Sequence, residues 1–125
     1  MQVRRIAIAA SAAAIAVSAL AIGVPGSLAK ATKPKVVKVK DNFYTPDSVG
    51  VKKGGKVKWD WTPTFNQHNV TLKKGPSGVD KNKFRSQTTN DPSYFFIKRF
   101  RKVGRYHFYC TIHPEVMKMT VRVHR

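Results

Sequence analysis

Near its carboxyl end the chain runs Gly104-Arg105-Tyr106-His107-Phe108-Tyr109-Cys110-Thr111-Ile112-His113-Pro114-Glu115-Val116-Met117. The first half alternates apolar and polar side chains with a period of two, which predicts a half-buried β-strand. This strand ends at the only cysteine of the chain, and a histidine follows three residues later. The sequence therefore predicts that Cys110 and His113 bracket a tight loop at the end of a strand.

The same alternation recurs elsewhere after residue 35, and helical periodicity is absent. Turn-forming Gly, Pro, Asn and Asp residues separate the alternating stretches, as is typical of a β-sandwich or barrel of short antiparallel strands. Residues 75–91 have no clear pattern, and we expect either a short strand around 84–88 or a long loop. The alternating stretches are 37–40, 56–61, 105–110 and 120–124.

The amino-terminal residues have the pattern of an export signal. Arg4 and Arg5 precede an uncharged run that ends in Ser27-Leu28-Ala29, so we expect cleavage before Lys30. The run is also long enough to span a bilayer, so an uncleaved anchor is the alternative. We therefore divide the chain into a signal peptide at 1–29, a flexible lead-in at 30–35 and one domain at 36–125.

The chain is strongly basic, with 24 Lys and Arg against 6 Asp and Glu among 125 residues. Such a charge favours anionic partners: an acidic redox protein, or an anionic envelope or membrane surface. The predicted export argues against nucleic acid as the partner. The basic residues are scattered along the sequence, so a basic surface on every side is the alternative to a localised patch.

Cys110 and His113 gain a third candidate ligand in His68, which lies far upstream in Asn66-Gln67-His68-Asn69-Val70. One thiolate, two imidazoles and a thioether are the ligands of a mononuclear blue-copper site. Met117 is the preferred thioether because it is nearer the loop. Met119 is the alternative, since residues two apart in a strand face the same side.

Other interpretations of these residues are weaker. A lone cysteine can be an inert buried side chain, and a lone histidine can be a hydrogen-bonded turn residue. Zinc would need three or four strong donors, and a cysteine protease would need a base, an orienting group and a cleft. His107 and His124 are expected to face outward and are not predicted ligands.

Four segments of the chain resemble the cupredoxins of the plastocyanin, pseudoazurin and amicyanin group. The resemblance implies an all-β Greek-key sandwich with one type 1 copper ion held by His68, Cys110, His113 and Met117. It also implies a hydrogen bond between Asn69 and Thr111 across the site. The segments are Phe43-Tyr44-Thr45-Pro46, residues 49–59, His68-Asn69-Val70 and residues 104–114.

The resemblance implies a function as well. We expect an exported, extracytoplasmic monomer that is not an enzyme and that carries single electrons between redox proteins, with the His113 edge and Pro114 at its docking patch. Copper capture or delivery outside the cytoplasm is the first alternative. A copper-free domain that binds anionic envelope polymers or lipid is the second.

Overall fold

The structure is a computed structural model and describes residues 32–125. The predicted signal peptide at 1–29 and the start of the predicted lead-in lie outside the described residues. Within the described range, no helix is both long and apolar enough to cross a membrane. The first strand begins at Lys35, the last residue of the predicted lead-in.

Eight strands and one short 3-10 turn make up the described chain. Strands β1, β4, β7 and β8 correspond to stretches in which apolar side chains alternate with polar ones. The strands are β1 (Lys35–Lys40), β2 (Phe43–Thr45), β3 (Ser48–Lys52), β4 (Lys56–Trp61), β5 (Thr71–Lys74), β6 (Phe95–Arg99), β7 (Gly104–Tyr109) and β8 (Lys118–His124), and the 3-10 turn is Lys81–Lys83.

The strands form two four-stranded sheets with the orders β2-β1-β4-β6 and β3-β8-β7-β5. The predicted all-β sandwich is confirmed. Four of the six strand pairs are antiparallel, as expected, whereas β1 pairs with β4 in parallel and β3 pairs with β8 in parallel. Both pairs join strands that are not adjacent along the sequence, and side-chain alternation alone carries no information about such partners.

The core lies between the two sheets and is rich in aromatic side chains. Trp59 is fully buried, and its ring lies 5.7 Å from that of Phe96, 6.4 Å from Phe100 and 5.0 Å from Phe108, measured between centroids. Burial of a side chain as large as Phe contributes about 1.5–3 kcal/mol. The period-two pattern of β4 and β7 therefore supplies the packing that holds the sheets together.

Two parts of the fold differ from the simplest sequence expectation. Residues 75–91 contain the 3-10 turn and isolated bridges at Arg85 and Thr89, so the long loop was the right alternative. The edge strand β6 was not predicted. Its Phe95-Phe96-Ile97 run has no alternation because Phe95 and Ile97 are exposed on the outer face while Phe96 packs against the core.

The topology brings three connections together at one end of the sandwich. Strands β1, β4 and β7 all finish at this end, because β1 and β4 are parallel and β7 leads into the Cys110 loop. The connections are the β1–β2 turn, the β4–β5 link that carries His68, and the β7–β8 loop that carries Cys110 and His113. We call this end the metal end.

Candidate metal centre

His68, Cys110 and His113 converge at the metal end. One nitrogen from each imidazole and the Cys110 sulfur all lie within 4.8 Å of one another. The Cys110 Sγ is 3.8 Å from His113 Nδ1, and the two imidazole centroids are 5.0 Å apart. The structure thus brings together the three strong donors that the sequence predicted, from two connections more than forty residues apart.

The β7–β8 loop is closed by its own backbone hydrogen bonds. The Cys110 amide donates to the Met117 carbonyl at 3.0 Å, and the Met117 amide donates to the His113 carbonyl at 3.0 Å. Cys110 and Met117 are fully buried, whereas His113 is partly exposed. The loop therefore holds the thiol inside and presents one imidazole toward the surface.

The hydrogen bonding of the His68 ring defines which of its two nitrogens carries the proton. Its Nε2 lies 2.9 Å from the Asp41 carboxylate, and an ionised carboxylate can only accept, so Nε2–H donates. Its Nδ1 is buried and has no hydrogen-bond partner among residues 32–125. A buried polar atom without a partner is costly unless something binds it. The lone pair of His68 Nδ1 lies near the buried Cys110 thiol, an arrangement that fits a metal ion.

Asp41 orients His68, and the sequence did not identify it. The carboxylate accepts the amide N–H of Phe65 at 2.8 Å and of Asn66 at 3.1 Å in addition to His68. The Phe65 amide bond, followed by the bond from His68, holds the pKa of Asp41 below its usual value. Asp41 is 27 residues from His68 in the sequence, and no local motif links them.

Asn69 joins the β4–β5 connection to the β7–β8 loop. Its side-chain N–H donates to Thr111 Oγ1 at 2.7 Å, and its Oδ1 accepts the Thr111 amide at 3.1 Å. The Tyr44 hydroxyl donates to the Asn69 carbonyl at 2.6 Å. Burial raises the pKa of Tyr44, so the hydroxyl keeps its proton for this bond. The residue pair implied by the resemblance is therefore in hydrogen-bond contact.

The two methionines differ in what surrounds their sulfur atoms. The Met119 Sδ accepts the indole N–H of Trp59 at 3.0 Å, and Met119 sits in β8 opposite Phe108. Met117 immediately precedes the strand and is fully buried at the end of the loop that carries Cys110 and His113. His107 and His124 are exposed on the outer side of their strands, away from the cluster.

A family model described as copper binding proteins of the plastocyanin/azurin family matches residues 33–124. The chain belongs to this family. It is a cupredoxin, and copper is its cofactor. The donors fit that metal, since a thiolate and two imidazoles are ligands that copper prefers. No curated protein sequence matches the chain.

Solved structures of similar fold include small copper proteins. Amicyanin from Paracoccus versutus is 30% identical with a TM-score of 0.61, over 74% of this chain and 82% of its own. A mutant fern plastocyanin is 24% identical with a TM-score of 0.57, over 70% of this cupredoxin and 98% of its own chain. A Cu-containing nitrite reductase from Thermus scotoductus SA-01 is 22% identical with a TM-score of 0.63, over 74% of this cupredoxin. This cupredoxin spans only 23% of that enzyme.

The axial position can be assigned by comparing two matched variants. We expect Met117→Leu to raise the reduction potential of the copper-loaded protein by about 60 mV or more, a tenfold change for one electron. The physical reason is that loss of a weak thioether donor destabilises Cu(II) more than Cu(I). Met119→Leu should shift the potential much less, because its sulfur is engaged by Trp59. Cyclic voltammetry measures both, and a larger shift for Met119→Leu would reverse the assignment.

Proposed function

We propose that this cupredoxin is a one-electron carrier whose copper is held by His68, Cys110, His113 and Met117. The observation that supports it most is the restraint of the donors by neighbouring protein groups. Asp41 holds the His68 ring, Asn69 ties the two connections together, and backbone hydrogen bonds close the Cys110 loop. A donor set that moves little between oxidation states favours fast electron transfer.

Each residue has a distinct part in this proposal. When bound, copper supplies the Cu(II)/Cu(I) couple. The buried Cys110 sulfur and the His68 ring keep water out, and the partly exposed His113 ring forms the path to the surface. Asn69 keeps the Cys110 loop in place through Thr111, and such outer hydrogen bonds tune a metal site.

Apolar side chains surround the exposed side of the site. Ile112 is 46% exposed and Val116 is 68% exposed, and both flank His113 in the loop. Phe65, whose amide donates to Asp41, is 96% exposed. Pro114 is exposed as well. These side chains form an apolar docking patch around His113, and the contacts that redox partners make in passing are small.

We propose a carrier rather than an enzyme. In support, His68, Cys110 and Met117 are buried, and His113 is the one proposed ligand that is partly exposed. We also propose that the domain works as a monomer outside the cytoplasm, on the strength of the predicted signal at residues 1–29. Copper capture and delivery is the competing function, and the experiment below separates the two.

Electron self-exchange between two copies of the copper-loaded protein tests the proposal without an identified partner. We expect Val116→Glu to slow self-exchange at least about tenfold, because it places like charges at the contact between two metal ends. Val103→Glu is the matched control: it adds the same charge at the other end of the sandwich and should change the rate by less than about twofold at physiological salt, where the charge is screened. Line broadening in NMR spectra of mixed Cu(I) and Cu(II) protein measures the rate.

Two outcomes would contradict the carrier proposal. The first is slow self-exchange in the unmodified protein. The second is rapid loss of Cu(I) to a soluble chelator on reduction, which would instead support copper delivery. Equal slowing by the two glutamate variants would show that docking does not use the patch around His113.

A further inference from the structure

Charge is distributed unevenly between the two ends of the sandwich. The end opposite the metal comprises residues 33–35, 52–56, 74–80, 99–104 and 124–125, and we call it the basic pole. It holds ten basic residues and one acidic residue, Asp80. The ten are Lys33, Lys35, Lys52, Lys53, Lys56, Lys74, Arg99, Arg101, Lys102 and Arg125.

The metal end has almost balanced charge. Counted in the same way over residues 40–48, 61–71, 85–95 and 109–118, it holds three basic and four acidic residues. Its acidic members are Asp41, Asp47, Asp91 and Glu115. The sequence, in which lysines are scattered, does not show this polarity, because it arises only when the strands return each connection to one end or the other.

The cations of the basic pole are not neutralised by the domain itself. Among residues 32–125, ion pairs involve only Lys38 and Lys58 with Asp60, and His68 with Asp41. All ten basic side chains of the pole are exposed except Lys56, which is partly exposed. The residues that line a shallow depression on this pole include Thr32, Lys33, Lys35, Lys52, Lys53 and Lys56.

We propose that the basic pole docks the domain on an anionic lipid surface and leaves the metal end facing away from it. The charges are spread over several separate connections and form a broad cap, which matches a plane of headgroups better than a small acidic site. Val103 is 40% exposed between Lys102 and the start of β7, so an apolar side chain lies among the cations. An apolar side chain within a basic surface favours the membrane interface.

The course of the chain supports this orientation. The first described residue, Thr32, lines the depression on the basic pole. It follows residues 6–29, an uncharged run that the sequence predicts to be an export signal or an anchor. Whether or not that segment is retained, the chain enters the domain at the basic pole. The His113 edge lies at the other end of the sandwich, where it stays accessible to redox partners.

Vesicle binding by the copper-loaded full chain tests the proposal. The probes are vesicles of phosphatidylglycerol and phosphatidylcholine in equal parts, with pure phosphatidylcholine as the reference that reports any contribution of the apolar leader. We expect the combined variant Lys52→Gln, Lys53→Gln and Arg101→Gln to lose about a hundredfold of the anionic-lipid-dependent affinity, since each removed cation contributes about a factor of five.

The matched control removes the same charge from outside the pole. Lys40→Gln, Arg85→Gln and Lys118→Gln together should lower that affinity by less than about fivefold, because these charges lie at the metal end, more than a Debye length from the docked surface, and are screened. The copper EPR spectrum of each variant checks that the fold is intact. Equal losses in the two combined variants would overturn the proposal in favour of a diffuse net-charge effect.

A measurement on the unmodified protein needs no variant. In the reduced Cu(I) form, nitroxide-labelled lipid headgroups should broaden NMR signals of residues 52–56 and 99–104 and leave those of 110–117 sharp. Broadening at 110–117 instead would contradict the orientation. Tight binding to soluble polyglutamate without vesicle binding would show that an acidic polymer or protein, and not lipid, occupies the pole.

Discussion

Replacing Cys110 with serine is expected to abolish the intense visible absorption of the Cu(II)-loaded protein. The absorption of a blue-copper site arises from its short thiolate bond, and Cys110 is the only cysteine of the chain. A serine hydroxyl stays protonated near neutral pH and is a much weaker ligand for this metal. Visible and EPR spectra recorded during Cu(II) addition measure the effect.

His107→Gln is the matched control for this prediction. His107 lies on β7, the strand that leads into the Cys110 loop, but its side chain is exposed on the outer face. The control should keep both the colour and the EPR spectrum. Retention of the intense band in Cys110→Ser, or its loss in His107→Gln, would contradict the site described above.

The second large effect is expected at Asp41, whose carboxylate receives three hydrogen bonds at the metal end. We expect Asp41→Ala to lower copper affinity by about 10- to 100-fold, as is typical when the partner of a metal-bound histidine is removed. Without the carboxylate, the His68 ring loses the group that holds Nε2–H, and the Phe65 and Asn66 amides lose their acceptor. Competition with a chelator of known affinity measures the loss.

Asp91→Ala supplies the control for the Asp41 variant. Asp91 lies at the same end and likewise accepts hydrogen bonds in a turn, from the amide and hydroxyl of Ser93, but no bond joins it to His68. Copper affinity should change less than about threefold in this variant, since its bonds remain within its own exposed turn. A further test is the ring-nitrogen NMR spectrum of the copper-free protein, in which His68 should carry its proton on Nε2. A proton on Nδ1 would contradict the role given to Asp41.

Local sequence patterns predicted much of the fold. The alternation in 56–61 and 105–110 correctly marked β4 and most of β7, because a strand with one buried face requires a period of two. The same logic missed β6, whose Phe95 and Ile97 face outward at the edge of the sheet. It also could not distinguish parallel from antiparallel neighbours, since both arrangements bury alternate side chains.

The candidate donors of the site could be predicted from the sequence alone. A strand ending in Cys110, with His113 three residues later, commits one short loop to a thiol and an imidazole, and His68 and two methionines complete the possible donors. This information is local, because spacing along a strand and its turn decides which side chains share a loop.

The tertiary structure set the other features of the molecule. It placed the Asp41 carboxylate against His68, engaged the Met119 sulfur with the Trp59 indole, and collected the cations at the end opposite the metal. Each of these depends on which strands pair and on which end of the sandwich receives each connection. Those choices come from packing two sheets around one core, so residues that are distant in the sequence become neighbours without any local sign of it.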